Sequence, residues 1–296
     1  MAIPEMQLDT WAKQGSVTQS SDTYHTIRNA LESDSAPYAE KSYEVFLQGS
    51  YGNDTNIYAE SDVDVVIKLA STFQQDLEAL SENQRVAFNQ AYASATYGYS
   101  DFKRDVISVL TSAYGGEVKA GSKAITVPAG GGRRKADVIV ALEYRRYFQF
   151  NAVDDENYVE GIVFYTASGE KIINYPKPHS RNLTKKHQGT NGWFKPMVRI
   201  VKNLRRRLVS DGTLESGDAP SYYLEGLLYN VPNDKFGSSY GDSLVAGITW
   251  IQQADRSTFL CANEQYYLLR NGFHTSWEPA KCEKFLGAAV NLWNGW

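Results

Sequence analysis

Residues 46–64 read FLQGSYGNDTNIYAESDVD, and this stretch constrains the fold more than any other part of the chain. An apolar strand runs into Gly49-Ser50, eleven residues of mostly polar loop follow, and Asp62-x-Asp64 opens a second apolar strand, VDVVIKL at 63–69. Alternate side chains of a strand share a face. Asp62 and Asp64 therefore point one way, while Val63, Val65 and Ile67 point the other, toward a core. Two carboxylates held side by side repel each other unless a cation lies between them. A third acid, Asp137, heads another apolar strand, ADVIVAL. If those strands are neighbours, three carboxylates meet at one end of a sheet. Carboxylate oxygens suit hard Mg²⁺, which also takes oxygens from substrate phosphates. Such a set can hold two ions about 3.5–4 Å apart, as used for in-line phosphoryl transfer. Gly49 lets backbone N–H groups approach phosphate oxygens, and the Ser50 hydroxyl can donate to them. The string G-x-x-x-x-G-K-[ST] is absent, so this is not a P-loop. Glu60, out of phase with both aspartates, reads as a loop residue and not a ligand.

The rest of the chain places this stretch in a mixed first half. Residues 21–33, 74–97 and 101–114 read as helices, from acidic or hydroxyl caps and helical spacing of apolar residues. Residues 43–48 and 63–69 read as strands. Residues 125–142 read as two strands around a Gly-rich basic turn, and 161–175 as a hairpin around Ser168-Gly169. From about residue 190 the pattern becomes helical. The chain has 296 residues, 42% of them hydrophobic, which supports one large domain or two ordinary ones. It shows neither an 18-residue apolar run nor a secretory leader pattern, so a cytoplasmic protein is expected. Two cysteines, Cys261 and Cys282, form neither a metal cluster nor a disulfide framework.

Charge is unevenly spread. Residues 171–207 contain eleven Lys or Arg and no acid; setting those aside from the net −4 leaves −15 for the remainder. An acidic chain with one basic block is suited to a single anionic ligand rather than to a length of duplex DNA. In the helix expected at 195–208, Met197, Val201, Leu204 and Leu208 share a core face. Lys195, Arg199, Lys202 and Arg206 share the opposite face, which is expected to meet water or an anion. The RRK at 133–135 reads as solvated. Tyr51 reads as a packing residue. His179 and His187 lack a Cys or second His at ligand spacing, so no zinc site is expected.

The combination GSYGNDTNIYAESDVDVVIKL resembles the signature of the polymerase-β-like nucleotidyltransferase superfamily. TYHTIRNAL, NYPKPHSRN, FKPMVRIVKNLRRRL and APSYYLEGLLYNVP resemble one branch of it, the bacterial cGAS/DncV-like nucleotidyltransferases, and within that branch the CdnE clade. The resemblance spans about residues 20–235. It implies an α+β fold. A nucleotidyltransferase palm of mixed sheet and helices over 1–175 would be followed by a mainly helical domain, similar to that of oligoadenylate synthetase, over 176–296. The active site would lie in the cleft between.

The resemblance also implies roles. Asp62, Asp64 and Asp137 would be catalytic and would bind two Mg²⁺ ions, with Mn²⁺ able to substitute. Gln48, Gly49, Ser50, Lys202 and Ser221 would bind the triphosphate. Asn182, whose carboxamide can donate and accept along a pyrimidine edge, is the candidate for base selection, against the plainer reading that it caps a turn. The implied activity is synthesis of a cyclic dinucleotide or oligonucleotide second messenger from ribonucleoside triphosphates, ATP and in one form UTP. Pyrophosphate is released, and the setting is bacterial antiphage (CBASS) signalling. A monomer is implied, alone or with accessory proteins of that system, without a membrane or a duplex DNA activator. Two other readings stand beside it: a template-independent enzyme acting on RNA, such as a CCA-adding or oligoadenylate-type enzyme, and an inactive nucleotide-binding regulator.

Overall fold

The computed structural model describes residues 2–15, 17–58 and 62–296; Glu60 lies outside them. The chain forms two compact units. One comprises Val17–Gln48 and Ser61–Lys177, the other Met1–Ser16, Gly49–Glu60 and Pro178–Trp296. Two segments from the first half of the chain, 1–16 and 49–60, group with the helical half.

The first unit is built on a mixed sheet. Its strands are β1 (Tyr43–Leu47), β2 (Val63–Asp76), β3 (Lys119–Ala120), β4 (Ile125–Val127), β5 (Ala136–Ala152), β6 (Asp155–Tyr165) and β7 (Lys171–Asn174). The order is β1-β2-β5-β4-β3, with β6 pairing the far half of β5 and β7 pairing β6. β2 and β5 run parallel; the remaining pairs are antiparallel. Helices α2 (Thr18–Leu31), α4 (Glu82–Ala91) and α5 (Tyr99–Tyr114) accompany the sheet.

The helix expected over 74–97 is shorter. Residues 74–76 remain in β2, which shifts register between Leu69 and Phe73 and then pairs Gln74 with Tyr144 through Asp76 with Arg146. Ser81 and Gln84 form a capping box that starts α4, and the helix stops at Ala91. β2 is buried on both faces at its centre: Val65, Val66, Ile67 and Leu69 are fully enclosed. Lys68 shares that burial and is compensated by Glu44, Glu143 and Glu160, contributed by β1, β5 and β6.

The second unit contains α1 (Glu5–Ala12), the one-turn α3 (Gly49–Gly52), most of α6 (Pro176–Gly189), α7 (Phe194–Ser210), α8 (Ser221–Asn230), α9 (Tyr240–Gln253) and α10 (Pro279–Asn294). Its core gathers round α7, whose Met197, Val201, Leu204 and Leu208 are buried with Leu224, Trp277 and Phe285. α1 has no strong apolar period and is not expected from sequence. Trp11 packs against the α7 core and against Trp296. Both cysteines are free and buried, and burial pushes their thiols up to about 11 and about 12, so they stay protonated and structural.

Candidate active site

The three aspartates assemble within the sheet unit. Parallel pairing sets Asp64 beside Asp137, and Val63 beside Ala136. Asp62 stands one residue ahead of β2. The Lys135 ammonium bridges two of the acids, 2.8 Å from Asp62 Oδ2 and 3.2 Å from Asp137 Oδ2. Thr126, the register partner of Asp137 on β4, donates its hydroxyl to Asp137 Oδ1 at 2.7 Å and fixes that carboxylate's orientation. Bonding to Asp62 and then to Asp137 holds the Lys135 amine above its ordinary value.

The basic turn at 133–135, expected to be solvated, is partly exposed and also bonded to the protein. Arg133 lies 4.3 Å above the Tyr114 ring and bonds Pro128 O, Arg134 bonds Gln19, and Lys135 neutralises the acids. The acids leave an uncompensated negative charge that a nearby flexible lysine meets most cheaply. Sequence spacing brings Lys135 near Asp137, but its contact with Asp62, 73 residues away, depends on the β2–β5 pairing. Among the described residues no three Asp, Glu, His or Cys side chains form a finished ligand cage. The donor chemistry nonetheless fits a hard divalent cation: Asp64 and Asp137 are register partners, and oxygens of Asp62 and Asp137 already share one positive charge.

The Gly-Ser element lies in the other unit. Gly49 has φ +70°, which an L side chain rarely adopts, and it starts α3. The expected open turn is thus one turn of helix. Tyr51 is buried, as expected for packing. Thr55 closes the loop by donating its N–H to Ser50 O at 2.9 Å, and Asn53 N–H bonds Gly49 O at 3.1 Å.

The cationic face of α7 grips this loop. Lys195 Nζ lies 2.8 Å from Asp54 Oδ2, Arg199 donates to Asp54 O at 2.6 Å, and Lys202 Nζ donates to Thr55 O at 2.9 Å. Asp54 itself has φ +56°, a conformation those bonds help to hold. Lys202 is fully buried. Where water was one expected partner of this face, loop carbonyls and the Asp54 carboxylate take its place at Lys195, Arg199 and Lys202.

Asn182 sits inside α6 rather than capping a turn, and it donates to Ala262 O at 2.8 Å, which fixes the direction of its carboxamide. His179, one helical turn earlier, bonds Glu225 Oε2 at 2.8 Å, and its ring stacks on Tyr222 at 5.1 Å. His187 Nδ1 accepts from Lys195 N at 3.3 Å, which gives it a backbone partner. Ser221 begins α8 after Pro220. Gln48, at the end of β1, donates its N–H to Asp64 O at 2.9 Å, while its side-chain Oε1 is buried without a partner. Sequence reasoning missed Thr126, Lys135, Thr55, His179 and Glu225. A signal existed for one of them: Lys135 immediately precedes the strand headed by Asp137.

Residues 181–294 match the family model described as the cGAS/DncV-like nucleotidyltransferase C-terminal helical domain. The whole chain is 40% identical to a cyclic UMP-AMP synthase of Rhodothermus marinus, over 99% of that protein. The chain belongs to the cGAS/DncV-like nucleotidyltransferases, in their CdnE branch. It is 36% identical over its full length, and over 100% of the relative, to the cyclic nucleotide synthase CdnE01 of Staphylococcus haemolyticus. The structure of Rhodothermus marinus CdnE c-UMP-AMP synthase with Apcpp and Upnpp aligns over 99% of this chain and 97% of that one, with 40% identity and a TM-score of 0.90. A CdnE cyclic dinucleotide synthase of Elizabethkingia meningoseptica, solved with GTP and Apcpp, aligns over 99% and 98% at 28% identity, with a TM-score of 0.77. The CdnE-like chain is thus a nucleotidyltransferase of α+β fold with a helical C-terminal domain. Among its described residues no helix is long and apolar enough to cross a membrane.

Proposed function

We propose that this CdnE-like chain joins two ribonucleoside triphosphates into a cyclic dinucleotide, or a larger ring, with release of pyrophosphate. The observation that carries this reading is the placing of Asp64 beside Asp137 by the β2–β5 register, with Asp62 and Asp137 sharing one cation. Identity of 40% along the entire length to a cyclic UMP-AMP synthase supports the product class, and with it ATP and UTP as the triphosphates to try first. The 175/176 division and the assignments below are part of the same proposal.

Asp62, Asp64 and Asp137 would hold two Mg²⁺ ions, or Mn²⁺ in their place. Bound there, the ions would activate the acceptor hydroxyl and neutralise the leaving pyrophosphate. Thr126 keeps Asp137 oriented, and Lys135 supplies positive charge beside the acids. Gln48, Gly49 and Ser50 would bind the triphosphate with Lys202 and Ser221. An ammonium carries three donors, so the Lys202 bond to Thr55 O is compatible with a phosphate oxygen as another partner. Asn182 would read the base, its carboxamide directed by Ala262 O. The setting proposed is antiphage (CBASS) signalling in the cytoplasm, by a monomer that needs no duplex DNA.

Asp62→Asn with Asp64→Asn tests the chemistry. The double variant should keep its circular dichroism and melting temperature while Mg²⁺-dependent pyrophosphate release falls by at least 10²-fold, the order seen when a key electrostatic group is lost. Retained release would sink the assignment.

A further inference from the structure

Glu225 is a buried carboxylate of α8, only 4% exposed, on a helix whose Leu224, Leu227 and Leu228 are also buried. Two elements other than its own are bonded to it. Oε1 accepts the Thr55 hydroxyl at 2.5 Å, and Oε2 lies 2.8 Å from His179 Nε2. Burial pulls the Glu225 carboxyl upward, but His179, Lys202 and Thr55 together hold it below its ordinary value. A buried ion pair is weak evidence for stability, because an apolar side chain of similar volume often serves as well. What a carboxylate adds is direction.

The two directions lead to different parts of the proposed nucleotide site. Thr55 is gripped at three atoms: its hydroxyl by Glu225, its carbonyl by Lys202, and its N–H by Ser50 O. A displaced Thr55 therefore carries Ser50 with it. On the other side His179 Nδ1 is buried without a hydrogen-bond partner, so Glu225 is the ring's polar anchor. That ring lies flat on Tyr222, 19° from parallel, next to Ser221. His179 also shares α6 with Asn182.

We propose that Glu225 is a positioning residue that sets the Ser50 loop, through Thr55, and the Ser221–Tyr222 helix start, through His179, in one fixed arrangement for a nucleoside triphosphate. The proposal rests on the nucleotide reading above. Glu225 touches no reacting atom; it acts through Thr55 and His179.

The test uses the full-length protein, Mg²⁺ and a non-hydrolysable UTP or ATP analogue, with affinity read by calorimetry and turnover read separately. Glu225→Gln keeps the volume and an acceptor for Thr55 but removes the charge. Thr55→Val removes only the hydroxyl bond, and Thr55→Ser restores it. Glu225→Gln and Thr55→Val should each weaken analogue binding and raise KM by about tenfold, within the range a sub-ångström displacement produces. kcat should change less, the circular dichroism should match the parent, and Thr55→Ser should recover. Parental affinity and KM in both Glu225→Gln and Thr55→Val would overturn the proposal. If Glu225→Gln does not fold, Thr55→Val against Thr55→Ser decides alone. Absence of analogue binding by the unaltered protein would remove the nucleotide reading itself, and the proposal with it.

Discussion

Lys135 shows how a single side chain completes what the acids begin. Clustered carboxylates repel one another, and the ammonium spanning Asp62 and Asp137 offsets that repulsion. Lys135→Ala should therefore lower the metal-free stability by about 1 kcal/mol, the scale of a half-exposed ion pair. It should also increase the gain in melting temperature on adding Mg²⁺, since no ammonium competes for the oxygens. Thermal melts with chelator and with Mg²⁺ check both; an unchanged Mg²⁺ increment would show that the lysine and the divalent ion do not compete. The aspartates were legible in the sequence because spacing along a strand fixes a face. Thr126 was not, because its role depends on which strands are neighbours; for Lys135 its place two residues before Asp137 was visible, but its reach to Asp62 depends on the β2–β5 pairing.

At the scale of elements, α7 is the instructive case. Its 3.6-residue period located the buried face at Met197, Val201, Leu204 and Leu208. The same period located the cations, but amphipathic patterning treats a charged face as an outer one. Lys202 is instead fully enclosed, since loop carbonyls can satisfy an ammonium as water does. α6 carries a related feature without a carboxylate partner. Lys186 donates to Val231 O and lies 5.6 Å from the centre of the Phe236 ring, and burial lowers its amine from 10.5 to about 8. The unfolded chain then binds more protons than the folded one between about 8 and 10.5, so stability rises with pH across that window. Lys186→Met should raise stability at pH 7 and flatten that rise. Denaturant titrations of variant and parent at pH 7 and pH 10 measure it; a parallel pH dependence in the two proteins would contradict the assignment.

For the whole molecule, the mixed first half and helical second half were readable from the change in hydrophobic period, 2 in β2 and 3.6 in α7. The grouping of residues 1–16 and 49–60 with the C-terminal helices was not. It depends on long-range bonds such as Gln14 Nε2 to Asn56 Oδ1 at 2.7 Å and Arg199 to Ala12 O at 2.5 Å, for which local patterning holds no information. Close packing adds to this: a Cβ on Gly15 would stand 2.8 Å from the Ile57 backbone, so a side chain there has no room. The Gly-Ser motif itself was visible because glycine's φ of +70° is a local demand, whereas the Glu225 anchor for the same loop lies 170 residues from Thr55 in sequence.

The proposed activity is synthesis of a cyclic nucleotide from free triphosphates. Mass spectrometry of the products after incubation with ATP, UTP, GTP and CTP and Mg²⁺, followed by nuclease digestion to fix the linkages, tests it most directly. A small cyclic product lacking terminal phosphates is expected, formed without RNA or DNA and absent from the Asp62→Asn, Asp64→Asn variant. Nucleotides added only to an RNA end, or triphosphates bound but recovered intact, would contradict it.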